Sequence, residues 1–263
     1  MLRVLPLLVK MHVKSQMEYR GAFFIDRVAQ IITYGSVYAT LWVLLDRFGT
    51  LGGWDWPEMA LLFAFQLLAY SLGASLSFVQ FRDLETLVRK GTFDALLVKP
   101  ISPWVYLTFS GLNIGYAGHI ALAAAVMGWA LWQVDAAWSP QLVLFFIVAL
   151  ASASMVVAAV MTMIGASAIV LVQSSYLYAI FFGFWELTRY PMNIFPPAMQ
   201  WMMVTVVPLG FMNYVPVAAF LGKDVAPLGA WGAPLALVAG PLFAGLAVLH
   251  WRWCLRRHQG GGG

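Results

Sequence analysis

Between residues 142 and 185 the chain runs some 44 residues without one charged side chain. A helix needs about 20 consecutive apolar residues to cross a hydrocarbon core of roughly 30 Å, so this stretch is twice one crossing. Dividing it near Gly165 and adding the other long apolar stretches predicts six spans, at residues 28–45, 59–81, 105–132, 142–164, 166–185 and 227–251. In lipid a spanning segment has to pair its own backbone polar groups. The expected fold class is therefore all-α, a polytopic membrane protein in one transmembrane domain over residues 1–263. The charged fraction of 10%, against about 25% in soluble domains, leaves no room for a separate soluble catalytic domain.

With that division, twelve of the fifteen Lys and Arg residues fall on one side and only Arg47, Arg189 and Lys223 on the other. Basic residues in short loops mark the cytoplasmic face, so both termini and the 82–103 loop are expected there, with the pI following from topology. The basic residues lie beside spans rather than in one patch interleaved with aromatics, which argues against nucleic-acid binding. Trp54, Trp56, Trp132 and Trp138 at the outer ends, and Trp104, Trp251 and Trp253 at the inner ends, are expected as headgroup-level anchors in contact with membrane lipid.

Three segments stand apart from the spans. Residues 2–25 read as an interfacial amphipathic helix, with Leu5, Val9, Val13 and Met17 on one face and Lys10, Lys14 and Glu18 on another. The 82–103 loop carries a short helix with Leu84, Leu87 and Val88 inward, a stop at Gly91, an N-cap at Thr92 and a second short helix with Leu96 and Leu97 before Pro100. In the outer segment 186–226, Pro191, Pro196, Pro208 and Pro216 punctuate apolar runs too short to span, which points to re-entrant helices partway into the outer leaflet. Glu186 and Arg189 sit three apart and are expected to pair.

The chemistry-bearing motifs exclude more than they assign. The chain lacks the G-x-x-x-x-G-K-[ST] phosphate loop and the H-E-x-x-H zinc motif, so no cofactor or metal is expected on it and it is not read as an enzyme. Cys254 is the single cysteine. An intramembrane serine protease built on Ser167 and His119 is disfavoured, since Ser167 falls at the predicted turn and no second glycine follows it. In the third span, His119 is expected either to pack between helices or to line a path through the bundle, and Asn113 to line such a path or an interface between copies, because polar groups in lipid face a bundle interior. The closing run 258–263 reads as a tail.

The run Arg89-Lys90-Gly91-Thr92-Phe93-Asp94-Ala95-Leu96-Leu97-Val98-Lys99-Pro100-Ile101-Ser102-Pro103, followed by Tyr190-Pro191-Met192-Asn193-Ile194-Phe195-Pro196-Pro197, resembles the type-2 ABC exporter permeases. The likeness is to their small six-span branch, encoded apart from the ATPase. It implies a permease of the bacterial inner membrane that works as a homodimer or heterodimer and docks two cytoplasmic ABC ATPase subunits, which would hold the ATP and Mg. By the same resemblance 82–103 is the coupling loop, with Asp83, Glu85, Arg89, Lys90, Gly91, Phe93 and Asp94 as coupling residues. Residues 2–25 become the connecting helix, and Tyr190, Pro191, Pro196, Pro208 and Pro216 belong to the outer re-entrant gate. A stand-alone secondary transporter or channel is the alternative. It would need an ion site within the membrane, whereas Asp26, Asp46 and Glu186 fall at span ends.

Overall fold

The computed structural model describes residues 20–111 and 113–259. It is all-helical, and five helical stretches are long and apolar enough to cross a membrane: Phe24–Phe48, Trp56–Ser75, Ile114–Gln133, Pro140–Leu171 and Gly229–Arg256. The long helices are α1 (Arg20–Phe48), α2 (Trp56–Ser75), α7 (Ala117–Gln133), α8 (Pro140–Leu171) and α12 (Gly232–Arg256). The short ones are α3 (Phe78–Arg82), α4 (Leu84–Arg89), α5 (Asp94–Leu97), α6 (Pro103–Ser110), α9 (Ser175–Trp185), α10 (Pro197–Thr205) and α11 (Tyr214–Phe220). Most of the expected amphipathic helix over 2–25 lies outside the described residues; its last part, 20–25, forms the first turns of α1.

Neighbours pack in the order α1, α7, α2, α8, α12. The middle helix, α2, is buried continuously over residues 59–67, as a helix apolar on every side must be. Its start is fixed by a reciprocal cap. The Glu58 N–H donates to Asp55 Oδ1 at 3.0 Å, and the Asp55 N–H donates to Glu58 Oε2 at 3.0 Å. Small residues then let α8 approach both neighbours, since lipid gives helices no hydrophobic drive to associate and close packing has to replace it. A Cβ on Gly73 of α2 would lie 2.4 Å from the Ser154 carbonyl oxygen, and one on Gly240 of α12 would lie 2.5 Å from that of Ser152. Pro241 lies inside the continuous α12, and beside it the Gly240 N–H donates to Ser152 Oγ at 2.8 Å, a neighbouring helix supplying the partner.

Three of the predicted boundaries are corrected. The hairpin expected near Gly165 is absent: α8 runs unbroken through it to Leu171, and the turn comes at 172–174, with Val172 at φ 64°. Gly165 instead serves close approach, since a Cβ there would lie 2.4 Å from the Phe81 carbonyl oxygen. Beyond the turn comes the 11-residue α9, shorter than the predicted 166–185 span. The 59–81 stretch breaks after Ser75, and the 105–132 stretch is divided between α6, which ends at Ser110, and a one-turn 3₁₀ helix that starts at Ile114. These two breaks face each other. The Ser75 carbonyl, left free as α2 ends, accepts from the Asn113 N–H at 3.0 Å and from Gln80 Nε2 at 3.2 Å, so each interruption satisfies the other.

Not every tryptophan is an anchor. Trp54 is buried beneath Lys223 and against Tyr214, and Trp251 is buried among other rings. Trp132, at 83% exposure, is open at the surface, as are Trp138 and Trp253.

Candidate functional site

The 82–103 loop is assembled around one glycine and one phenylalanine. After α4 the chain turns at Gly91, whose φ of 67° is the left-handed region where a side chain costs about 1 kcal/mol or more. The Gly91 N–H reaches the Val88 carbonyl at 3.0 Å and the Phe93 N–H reaches the Leu87 carbonyl at 3.1 Å, closing the helix end. Thr92 does not cap α5 as expected. Its hydroxyl donates back to the Leu87 carbonyl at 3.2 Å, and α5 begins after Phe93 with no side-chain cap. Burial of the Phe93 ring positions that start in place of a cap.

Phe93 joins Phe81, Leu84, Leu96, Leu107, Ala166, Ile169 and Trp251 in an apolar cluster separate from the main core. Within it the rings of Phe81, Trp104 and Trp251 stand edge to face at 5.6–6.0 Å. The loop is thus bolted to the same end of α8 and α12.

Glu85 makes a second attachment. Its Oε2 accepts from the Ser174 and Ser175 backbone N–H groups, both at 2.8 Å, so a carboxylate in the loop caps the first turn of α9. Burial alone would raise this carboxyl. The two amides, helped by the Ser175 hydroxyl and the Arg89 guanidinium, outweigh it and hold Glu85 below the usual carboxylate range.

A third attachment joins α5 to the end of α12, where His258 Nε2 lies 2.6 Å from Asp94 Oδ1 and its ring packs 5.2 Å from Phe93. Asp83 sits near Arg82 at 3.5 Å in the open. The seven predicted coupling residues therefore divide. Glu85, Phe93 and Asp94 face inward and hold the loop, while Asp83, Arg89, Lys90 and Gly91 are exposed, beside Val98 at 83% exposure.

The two predicted path residues are not brought together. Asn113 caps a one-turn 3₁₀ helix, its Oδ1 accepting from the Gly115 N–H at 2.7 Å. It lines a cavity of about 590 Å³ shared with Arg27, Gln80, Asp83 and Leu107. His119 is not among the lining residues; it lies buried between the rings of Tyr34 and Tyr116. Ser167 pairs with His250, at 3.1 Å, and not with His119. It also lies within α8 rather than at a turn.

The profile of the ABC-2 family transporter proteins matches residues 31–262. The chain belongs to the ABC-2 transporter family. No curated protein and no solved structure matches it. Membership makes the chain a multi-pass membrane permease of an ABC-type transporter, a class that works with ATPase subunits.

In this ABC-2 permease the segment after α9 is ordered by a buried polar chain. Gln66 of α2 donates to the Thr188 hydroxyl, that hydroxyl donates to the Trp185 carbonyl at 2.7 Å, and Asn213 Nδ2 donates to the Thr188 carbonyl at 2.6 Å. Asn213 Oδ1 in turn accepts from the Tyr214 N–H at 2.7 Å, and α11 behind it is almost wholly buried. Pro208 and Pro216 are buried with it and Pro191 is buried nearby, while Tyr190 and Pro196 are exposed. Glu186 and Arg189 pair as expected, 2.5 Å apart. Lys223 closes the same end, reaching Glu58 at 2.9 Å and the Gly53 carbonyl at 2.8 Å.

Sequence reasoning missed Ser174, Ser175, His258 and the Phe81, Trp104 and Trp251 rings as parts of the loop's seat. The polar run Gln173-Ser174-Ser175, inside an otherwise apolar stretch, is a helix-start signal that could have placed the turn.

Proposed function

We propose that this permease is the transmembrane subunit of an ATP-driven exporter. Two cytoplasmic ATPase subunits dock on the 82–103 loop of a permease homodimer or heterodimer, and their ATP-driven closure reshapes the path. The observation that carries the reading is the double nature of the loop. One face is fixed to α8, α9 and α12 through ring packing, the Glu85 cap and the Asp94–His258 pair. The other face offers Arg89, Lys90 and Val98 to the outside. A surface that binds a moving partner and hands its displacement to three helices needs both properties.

In this reading both termini and the loop lie in the cytoplasm of a bacterial inner membrane. α9 with the turn after it makes a sixth, short crossing, and α10 and α11 form the outer re-entrant gate that includes Tyr190, Pro191, Pro196, Pro208 and Pro216. The buried Gln66, Thr188 and Asn213 chain supports the gate assignment, because irregular backbone at membrane depth has to be satisfied by protein. Asn113, in the cavity on the loop side, is the better placed of the two path candidates.

The test is purification of the tagged chain from its native membrane in mild detergent, with mass spectrometry and an ATPase assay of what accompanies it. Recovery of a P-loop ATPase in stoichiometric amount is expected. A second permease in the same sample would make the complex a heterodimer. An ATPase-free protein that moves solute down an ion gradient would overturn the reading in favour of a secondary transporter.

A further inference from the structure

The end of α12 and the loop enclose a second cavity, of about 710 Å³, distinct from the one that Asn113 lines. It is lined by the guanidinium residues Arg89, Arg256 and Arg257 and by Ile169, Val170 and Val172 at the end of α8. Asp94, the one carboxylate among its lining residues, is engaged by His258. The C-termini of α4, α8 and α12 contribute up to about half a negative charge each, so the three guanidiniums still leave the cavity in small positive excess over these ends and Asp94. Among the described residues Arg256 has no hydrogen-bond or ion-pair partner, and Arg257 lies over the Trp253 ring at 4.7 Å.

We infer that this cavity binds the phosphate headgroup of an anionic glycerophospholipid. The apolar lining residues Ile169, Val170 and Val172, with the face of α12 that leads to the cavity, favour a lipid over a soluble anion or a protein carboxylate. Leu242, Leu249 and Arg256 recur at seven-residue spacing and so share one helical face. Leu242 and Leu249 are exposed at 56% and 62%, an open track for an acyl chain that ends at a guanidinium. Trp253, half-exposed beside Arg257, is the residue type that settles at headgroup depth. Basic pockets between membrane helices on the cytoplasmic side are suited to such headgroups. The cytoplasmic placement rests on the function proposed above, whereas the binding chemistry does not.

The test keeps Arg89, which the docking face shares, and changes Arg256→Gln and Arg257→Gln together. The full-length chain is delipidated in detergent, titrated with phosphatidylglycerol or phosphatidylcholine, and read by native mass spectrometry, with Arg47→Gln as a charge control at the other membrane face. Each basic side chain near an anionic lipid is worth about fivefold in binding, so the double variant should weaken the tightest phosphatidylglycerol adduct on the order of thirtyfold. The control should leave it unchanged. Phosphatidylcholine should give no such adduct, and excess inorganic phosphate should fail to displace it. Equal adducts with both lipids, or an adduct indifferent to the double substitution, would overturn the inference. A double variant that keeps the adduct but loses its co-purifying ATPase would assign the cavity to the protein partner and overturn it as well. If no ATPase accompanies even the unaltered chain, the docking reading fails and the lipid result stands by itself.

Discussion

Glu85 shows how one side chain changes meaning between sequence and structure. In sequence it is one charge among several in a mixed loop; in the fold it is the cap of α9. Glu85→Gln keeps the shape but loses the charge, and is expected to cost about 1 kcal/mol, read as faster amide exchange at Ser174 and Ser175 with the rest of the molecule unchanged. The pH dependence has a definite sign. The folded carboxyl lies below its unfolded value, so its stabilisation is fully present above the unfolded pKa and is lost as pH falls through the folded one. Amide exchange at the start of α9 should therefore rise only below the ordinary carboxylate range, and Glu85→Gln should abolish that pH dependence. Gly91 was legible without coordinates because a stop after an amphipathic turn calls for a residue that tolerates positive φ. Ser174 and Ser175 were not, because their partner lies 89 residues away.

At the scale of elements, the apolar stretches 28–45, 59–81, 142–164 and 227–251 overlap α1, α2, α8 and α12, but their ends differ from the helix ends by up to eight residues. Gly165 looked like a turn because the stretch was too long for one crossing, but in an apolar helix a glycine equally marks a place where another backbone comes close. Gly165→Ala should push α8 from α3 and lower stability by about 1–3 kcal/mol, seen as a reduced thermal unfolding temperature in detergent. Gly183, with open space at its Cβ, should accept alanine without such a loss. The interruptions after Ser75 and Ser110 were invisible for a related reason: the Ser75 carbonyl freed at the first is met by the Asn113 N–H beyond the second and by the Gln80 side chain. Phe81→Ala removes the ring that packs edge to face against both Trp104 and Trp251. It is expected to cost about 3–5 kcal/mol and to free the loop, detectable as new protease sensitivity within 82–103.

For the whole molecule, the all-helical membrane fold and the ABC-2 family were legible from apolar stretch length and the loop and Tyr-Pro motifs. The division of the loop into a holding face and an offering face required the packing. That division separates two classes of variant. Lys90→Glu alters an exposed side chain that makes none of the loop's attachments, so the ATPase should dissociate while thermal stability stays within about 0.5 kcal/mol of the parent. Glu85→Gln should leave the ATPase bound and weaken transport per ATP hydrolysed. The most direct test of the docking claim uses Val98→Cys, a position 83% exposed, in a chain whose only native thiol, Cys254, is buried. A photo-crosslinker attached there in native membranes is expected to capture a P-loop ATPase, and one at Trp132→Cys is expected to capture none. Transport-active membranes in which position 98 captures no ATPase would contradict the account.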